Sequence, residues 1–409
     1  RFDLSVAWGL RWGHVDRFVI RDSAFESHAR NNWPWQWHCN GATHFAVNRN
    51  KVTYAAGRFG FSDSDHGILE YNHFIRLGDE QMDKGESGGF NIDYAADIVV
   101  MGNHMEVQGR NIDPLVNNNQ GETILSQGGN PDNQDAGSVV RATAGSLTVA
   151  GKNWHYQIRT ASLSASDEVA IIAGRGAGQW RYIKENSANT LKVTRPWTVI
   201  PDQTSYCVIM RWSAKDWLVK GNELEGNNRG IWFYCGDHDV AIVGNQLTNS
   251  DGIYVRSDQR ITDQLGRFNL SWNTLIEGNR VVNKNGLRPA YVNATLALMA
   301  PYDLKGIGTI GLEVRRNYVE AHTPNSAGFI QGEGYWNSLA SKKPPGNNQP
   351  GILGSIFEAN EVRNADIAYH LSANSAQKII KGAINKSVKN FSSDELQLAK
   401  PSDQTVVIK

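Results

Sequence analysis

The sequence predicts an all-β protein in which most of the chain winds into a parallel β-solenoid and a small antiparallel β module is inserted. Three observations favour this fold. A short motif, in which alternating apolar residues are followed by a small residue and Asn, recurs along the chain. Glycine is abundant at 40 residues while proline is only 12, as is typical of an ordered fold with many turns. The motif is interrupted once, by a stretch much longer than one coil.

The spacing of the motif indicates the length of a coil. The interval between successive asparagines is 22 residues from Asn50 to Asn72, and apart from the one interruption the intervals range up to 43. A minimum near 22 fits one coil, and the longer intervals fit coils with loop insertions. Strands stacked about 4.8 Å apart allow equivalent corner asparagines to hydrogen-bond to one another. The ten copies, weak ones included, are residues 18–22, 44–48 running into 50–52, 68–72, 98–103, 217–222, 240–245, 275–279, 312–317, 356–360 and 379–385.

An alternative interpretation treats the Gly-Asn pairs as ordinary turns of another all-β fold. Unrelated turns would not share the same apolar alternation. In this repeat, residues 14–104 and 212–391 resemble the right-handed parallel β-helix proteins of the pectate-lyase type. The resemblance implies that fold, with chemistry on one lateral sheet where neighbouring coils form an extended groove suited to a polymer.

The interruption divides the chain. Residues 1–104 are predicted to form N-terminal coils, 105–211 an inserted region, 212–391 C-terminal coils and 392–409 a tail. Within the insertion, residues 137–211 contain short alternating segments separated by turns, which predict a small meander or barrel. The Gly-rich stretch 174–179 lies between two of these segments. We interpret it as a hairpin, because a dinucleotide-binding loop requires a helix after it.

Composition limits the partners. Lys plus Arg and Asp plus Glu are each 41, so the formal charge is zero and no global field favours nucleic acid. No apolar stretch reaches the length of a membrane span, which is about 18 to 20 residues. The chain starts without Met or an apolar leader, which we interpret as a processed or trimmed start. Such a start fits a mature secreted or cell-surface protein and also a fragment of a longer protein whose first coils lie upstream. We expect upstream sequence, another subunit or homo-oligomerisation to cap the first coil.

Carboxylates carry the predicted chemistry. Sugar hydrolysis requires two carboxyl groups on either side of one bond, about 5 to 9 Å apart. The candidates are Glu122, Asp93, Glu86 and Asp237, and Glu122 is expected to pair with Asp93 or Glu86. Glu is not favoured at turns, and both glutamates lie near glycines that leave room for a ligand. Asp near Gly is more often an ordinary turn residue, so each aspartate also has a structural interpretation.

Aromatic and charged residues form the predicted substrate site. Flat rings suit sugar stacking, although three tryptophans within residues 33–37 also fit a packed cap over an open end. A lyase would use a Lys, Arg, His or Tyr base and a cation that neutralises a uronate carboxylate. The predicted substrate-binding residues are Trp33, Trp35, Trp37, His66, Lys84, Arg229, Trp232, Tyr234, Asp251, Tyr254 and Arg256.

The pectin-hydrolysing members of this fold carry four motifs in order. Residues 249–251, Asn-Ser-Asp, look like the first of these, the Asn-x-Asp. The Asp-Asp, Gly-His-Gly and Arg-x-Lys motifs do not follow, and their absence counts against pectin hydrolysis. No cofactor is expected. The Asp-Ser-Asp-His run 63–66 offers oxygen ligands for Ca²⁺ but lacks the spacing of a recognised calcium loop.

The sequence therefore favours an extracellular enzyme that processes polysaccharides in a groove along the β-helix, as a hydrolase ahead of a lyase. The alternative is a non-catalytic solenoid, such as a surface, sheath or phage-spike protein, in which the coils form a rigid rod and the inserted module drives assembly.

Overall fold

The architecture comes from a computed structural model. It describes residues 2–3, 11–27, 35–54, 57–78, 88–109, 122–128, 135–154, 166–227, 229–234, 236–261, 266–284, 290–298, 306–322, 327–333, 352–365, 367–371, 375–380 and 396–398. These residues form strands and turns, with no helix among them, which confirms the all-β class. The same residues therefore include no helix suited to crossing a membrane.

Three sheets of parallel strands make up most of the protein, and successive coils contribute one strand to each. The arrangement agrees with the predicted parallel solenoid. Strands are numbered β1 to β39 in chain order. Sheet A contains β1 (Phe2–Asp3), β4 (Ala24–Ser27), β7 (Lys51–Tyr54), β10 (His73–Gly78), β13 (His104–Gly109), β22 (Glu223–Glu225), β25 (Gln246–Thr248), β29 (Arg280–Val282), β33 (Tyr318–Glu320) and β36 (Glu361–Arg363).

Sheets B and C complete the coils. Sheet B contains β2 (Arg11–Gly13), β5 (Trp35–Asn40), β8 (Gly57–Ser62), β11 (Phe90–Asp93), β14 (Glu122–Ser126), β23 (Arg229–Phe233), β26 (Gly252–Ile261), β30 (Tyr291–Leu298), β34 (Ala327–Glu333), β37 (Ile367–Leu371) and β39 (Leu396–Leu398), with β27 (Gly266–Asn269) antiparallel to β26. Sheet C contains β3 (Val19–Arg21), β6 (Thr43–Asn48), β9 (Asp65–Glu70), β12 (Ala95–Met101), β21 (Ala214–Lys220), β24 (Asp237–Val243), β28 (Ser271–Glu277), β31 (Thr309–Ile310), β32 (Glu313–Arg315), β35 (Ile352–Glu358) and β38 (Ser375–Ile380).

The inward side chains of the three sheets form one continuous core. Strand alternation places every second residue inside, as for Ile231 and Phe233 of β23 or Ile253 and Val255 of β26. Aromatic rings fill the early coils, where Phe59 lies 5.3 Å from Phe74 between ring centroids. Burial of these apolar side chains is the main favourable term that holds the coils together.

A ladder of asparagines follows one corner of the coils, as the repeat predicts. In each rung the Nδ2 of one Asn donates to the Oδ1 of the next, at 2.9 to 3.0 Å. The same Oδ1 accepts the backbone N–H of the preceding Asn. The buried corner is therefore satisfied at each rung. The ladder consists of Asn50, Asn72, Asn103, Asn222, Asn245, Asn279, Asn317 and Asn360; the weak copy at Asn385 lies outside the described residues.

The insertion contains a closed antiparallel barrel, which confirms the predicted module. Its strands are β15 (Asp135–Thr143), β16 (Ser146–Val149), β17 (Glu168–Ala173), β18 (Trp180–Asn186), β19 (Thr190–Val193) and β20 (Tyr206–Met210), in the closed order β15-β16-β19-β18-β17-β20. A separate core fills the barrel, with Leu147, Val169 and Leu191 fully buried. The glycines of 174–179 form the β17–β18 connection, and Gly174, Gly176 and Gly178 have positive φ.

A second regularity of the coils was not predicted. In sheet C, one residue near the start of each of six successive strands has a left-handed backbone, with φ between 50° and 59°. The register stacks these residues on one another in neighbouring strands. We call them the left-handed row: His44, His66, Asp97, Asp216, Asp239 and Asn273. Asn, Asp and His tolerate this conformation better than most residues.

Candidate functional site

Part of the predicted site lies outside the described residues. Trp33, Lys84 and Glu86 fall there, and of Trp35 only the backbone, in β5, is described. Trp37 lies in the solenoid core, 4 % exposed, with its ring centroid 4.7 Å from that of Phe25. The Trp37 ring is therefore not available to a sugar.

Six other predicted residues converge on the outer side of sheet B. Glu122 and Arg229 are register partners on β14 and β23, and their side chains form an ion pair. The hydroxyl of Tyr234 donates to Glu122 Oε1 at 3.2 Å and lies 3.1 Å from Arg229 Nη1. Both members of the pair are 7 % exposed. Both donors contact Oε1 of Glu122, so this carboxyl group is engaged within the protein.

Aromatic rings pack beside this ion pair. The ring centroids of Trp232 and Tyr254 are 4.6 Å apart, and the guanidinium of Arg229 lies 4.6 Å from the Trp232 ring. Arg256 stacks in the same way on Tyr234, at 4.9 Å. Trp232 is 1 % exposed and Tyr254 0 %, so their faces are closed to solvent. Burial, followed by the Glu122 carboxylate, raises the pKa of Tyr234. The cluster is a packed unit rather than an open sugar platform.

Asp93 lies on sheet B as well, but far along the strand from Glu122. The register pairs Phe90 with Ile124 and Asn91 with Leu125, so Asp93 is level with Gln127, whose N–H it accepts at 2.7 Å. Five residues of strand separate this level from Glu122, which is about 16 Å at 3.3 Å per residue. The fold therefore does not bring Asp93 and Glu122 together on one glycosidic bond.

Asp237 is fully buried near the start of β24. Its Oδ2 accepts hydrogen bonds from Ser271 at 2.9 Å and Thr274 at 2.5 Å, while Oδ1 has no hydrogen-bond partner among the described residues. Burial raises the pKa of Asp237 to about 7 despite both hydroxyl donors. The Asp237 carboxyl is thus engaged within the protein by Ser271 and Thr274. Asp251, with φ of 57°, is a corner residue whose carbonyl accepts the amide of Asn283.

His66 belongs to the left-handed row of sheet C. Its Nδ1 lies 2.9 Å from Asp65 Oδ1, and its Nε2 lies 3.5 Å from Asp97 Oδ2. The hydrogen bond to Asp65 is the main cause of the raised pKa of His66. Its ring stacks on that of His44 at 4.7 Å.

The barrel docks on the outer side of sheet C, near this row. Ala170, Ile172, Val208 and Met210 of the barrel pack on a solenoid patch that includes Trp212, Leu270 and Trp272. A polar contact accompanies the apolar one, since Trp180 Nε1 donates to His238 Nε2 at 2.8 Å. Sequence alternation identifies each strand, but it does not identify which faces of two units meet.

The Trp180 contact fixes the state of His238. Because an indole N–H only donates, Nε2 of His238 is an acceptor and the proton of the neutral ring lies on Nδ1. That nitrogen is 2.9 Å from Asp239 Oδ2, at an angle that falls short of a hydrogen bond. Burial lowers the pKa of His238, in agreement with a neutral ring. Although Asp216, His238 and Asp239 are close enough to hold a metal, this tautomer leaves His238 no free lone pair.

Two polar groups of the barrel are buried beside the same part of sheet C. Glu168 of β17 and Tyr182 of β18 are register partners, so their Cβ atoms are about 5 Å apart. Neither Glu168 Oε2 nor the Tyr182 hydroxyl has a hydrogen-bond partner in the described part of the chain. Burial raises the pKa of Glu168 well above its ordinary value, and Glu168 is only 2 % exposed. Such unsatisfied buried groups require an explanation, and catalysis is one of the known ones.

The solenoid contributes carboxylates to the surroundings of Glu168 and Tyr182. Burial raises the pKa of Tyr182, and the nearby carboxyl groups of Glu168, Asp216 and Asp97 raise it further, in that order. The Tyr182 hydroxyl therefore lies within electrostatic reach of one barrel carboxyl and two carboxylates of the left-handed row. Asp97 and Asp216 are 38 % and 37 % exposed. We call these four residues, Glu168, Tyr182, Asp97 and Asp216, the junction site.

Two cations near the junction site, Arg211 and Lys215, are engaged in ion pairs. Arg211, 2 % exposed, pairs with Asp63 and stacks on the Tyr94 ring at 4.1 Å. Lys215 pairs with Asp216. The run 63–66, considered above for Ca²⁺, thus contributes Asp63 to an arginine and Asp65 to a histidine.

Comparison with protein-family models and with curated proteins finds no match for this chain.

Proposed function

We propose that this protein is an extracellular enzyme with the right-handed parallel β-helix fold that cleaves glycosidic bonds of a polysaccharide, as a hydrolase rather than a lyase. The handedness follows the strong general preference for right-handed parallel crossovers. One observation carries the functional proposal: at the junction site, a buried carboxyl with a strongly raised pKa and two partly exposed aspartates all act on the Tyr182 hydroxyl.

The buried carboxyl and the partly exposed carboxylates have different roles in the proposed reaction. Glu168, which retains its proton, donates it to the glycosidic oxygen as the bond to the anomeric carbon breaks. Asp97 or Asp216 accepts a proton from the attacking water, or attacks the anomeric carbon directly in a two-step reaction. Tyr182 acts as a positioning residue by hydrogen-bonding to a sugar hydroxyl or to the reacting carboxyl.

The charge of the site favours a neutral glycan. A lyase acting on uronates needs a cation to neutralise the substrate carboxylate, whereas Arg211 and Lys215 are paired with Asp63 and Asp216. A polyanionic substrate would also meet the acidic left-handed row, which repels it. Hydrolysis of an uncharged polysaccharide agrees best with this balance.

A substitution in the barrel tests the acid. Glu168→Gln keeps the size of the side chain and removes the donated proton, so turnover on the best substrate of a panel of neutral glycans should fall by about 10²-fold or more. Glu185→Gln is the matched control, because Glu185 is an exposed barrel glutamate paired with Lys192. Equal activity of Glu168→Gln and Glu185→Gln would contradict the role of Glu168.

The aspartates are tested in the same assay. Asp97→Asn and Asp216→Asn remove charge while Asn tolerates the left-handed backbone at both positions. We expect at least one of them to lose turnover about as strongly as Glu168→Gln. Asp22→Asn is the control, since Asp22 also has positive φ and pairs with Arg49 away from the barrel. Normal turnover in both Asp97→Asn and Asp216→Asn would exclude them as the second carboxylate.

A non-catalytic rod is the second candidate function, and two observations favour it. The asparagine ladder links the described coils rigidly, as a rod requires. Val199 and Ile200, between β19 and β20, are 43 % and 42 % exposed, and such apolar side chains suit assembly. Failure of the wild-type chain to cleave or bind any glycan of the panel would favour the rod over the enzyme.

A further inference from the structure

We propose that the outer side of sheet A binds one divalent transition metal ion, of which Zn²⁺ is the natural example, through His73, His104 and Glu106. A ring nitrogen of each histidine and a carboxylate oxygen of Glu106 all lie within 4.8 Å of one another. Two imidazoles and one carboxylate form a ligand set that Zn²⁺ uses in proteins. This site is separate from the junction site and does not depend on the proposed enzymatic function.

Strand register builds the cluster. His73 and His104 are direct partners on the parallel strands β10 and β13, and their ring centroids are 4.9 Å apart. Alternation turns Phe74 and Met105 into the core, so both histidines face outward. Glu106 follows His104 by two residues and shares its face. Its Oε1 lies 2.9 Å from Nε2 of His73, which brings the three side chains to one point.

The next strand supplies a fourth side chain, which is a second carboxylate. Glu223 of β22 is the register partner of His104, and its Oε2 lies 3.2 Å from Nδ1 of that ring. A carboxylate that accepts a hydrogen bond from one ring nitrogen of a histidine orients the other ring nitrogen toward a metal. Glu223 therefore acts as an orienting residue for His104.

The accessibility of the cluster suits an ion taken from solution. His73, His104 and Glu106 have side chains that are 42 %, 41 % and 22 % exposed. Imidazole ligands select transition metals over Ca²⁺ and Mg²⁺, which prefer oxygen. A bound ion would join β10 and β13, the last two sheet A strands before the insertion, and would raise the resistance of the folded chain to heat.

Calorimetric titration of the metal-stripped chain with ZnSO₄ tests the site, with MgCl₂ as a parallel titrant. We expect one equivalent of Zn²⁺ to bind and Mg²⁺ to bind at least about 100-fold more weakly. His73→Gln, His104→Gln and Glu106→Gln should each weaken Zn²⁺ binding at least about 10-fold. Zn²⁺ should also raise the thermal midpoint of the wild type and leave that of His73→Gln unchanged.

His322→Gln is the matched control, because His322 also contacts a glutamate, Glu320, at 3.0 Å and is 36 % exposed. Its Zn²⁺ affinity should equal that of the wild type. Circular dichroism of the metal-free variants verifies that each is folded. The proposal is overturned if folded His73→Gln and His104→Gln bind Zn²⁺ like the wild type, which is also the result expected if Zn²⁺ binds at Asp216 and Asp239. It is equally overturned if the wild type binds no Zn²⁺.

Discussion

Asn103 and Asn222 are 119 residues apart in the chain and adjacent in the structure, where Nδ2 of Asn103 donates to Oδ1 of Asn222 at 2.9 Å. The backbone is paired at the same place, because the N–H of Glu223, the residue after Asn222, donates to the carbonyl of Asn103 at 2.8 Å. The coil before the insertion therefore continues directly into the coil after it. The ladder spacing is the same here as between coils joined by a short connection.

Removal of one ladder rung should destabilise the chain strongly. Asn222→Ala leaves the N–H and side-chain amide of Asn103 and the carbonyl of Val100 without their partner. An unsatisfied buried polar group costs about 1 to 3 kcal/mol, so we expect a loss of about 3 kcal/mol or more in the free energy of unfolding. Urea denaturation measures this loss. Asn40→Ala, at an exposed position of β5, should change the midpoint little; similar midpoints for both variants would show that the ladder is not stabilising.

The charge of Asp237 should make stability depend on pH. The folded chain raises the pKa of this carboxyl from 3.8 to about 7, so the folded state binds the proton more tightly than the unfolded state. The free energy of unfolding therefore falls as the pH rises between these values. Asp237→Asn removes the titration and keeps an oxygen for Ser271 and Thr274. Its stability relative to the wild type should increase from pH 4 to pH 7.5, by on the order of 4 kcal/mol. Parallel pH profiles in urea denaturation would contradict the assignment.

The ion pair between Glu122 and Arg229 should show strong coupling. Breaking a buried pair by removal of one partner costs about 3 to 5 kcal/mol, because the other charge remains buried. We therefore expect Glu122→Gln and Arg229→Met each to lower the free energy of unfolding by several kcal/mol. The double variant should lose much less than the sum of the two. A double-mutant cycle in urea measures the coupling, and additive losses would show that the two charges act independently.

The backbone of the left-handed row should tolerate Gly and reject β-branched residues. Asp97 has φ of 55°, a conformation that costs non-glycine residues about 1 to 2 kcal/mol. Asp97→Gly should retain stability close to that of the wild type, whereas Asp97→Val should lose about 2 kcal/mol or more. Thermal unfolding of the two variants compares them directly. A Val variant as stable as the Gly variant would mean that the row is not conformationally constrained.

The sequence is sufficient to predict the coils and the barrel because both depend on local patterns. The Asn that ends each apolar alternation is the residue that forms the ladder, from Asn50 to Asn360. The alternating segments of the insertion are the strands of the barrel. Glu122, Arg229 and Tyr234 were predicted as functional residues, and they do meet on one sheet. The ion pair joins Glu122 to Arg229, which are 107 residues apart in the chain. It depends on which strands become neighbours, and a local sequence pattern does not contain that information.

The junction site shows what a local pattern omits. Glu168 and Tyr182 lie in segments that alternate like any strand, so their types gave no reason to single them out. Their raised pKa values arise only when the barrel covers them against sheet C. The left-handed row was missed for a related reason, since His, Asp and Asn at its positions share a backbone conformation rather than a chemical type.

The barrel begins and ends at neighbouring points. Asp135 at its start is the register partner of Ile209 near its end, and in the flanking coils the hydroxyls of Ser126 and Ser213 are 2.7 Å apart. A unit with adjacent ends can be gained, lost or exchanged through one genetic event while the surrounding winding keeps its path. Evolution can therefore vary the barrel that covers sheet C independently of the coils that carry it.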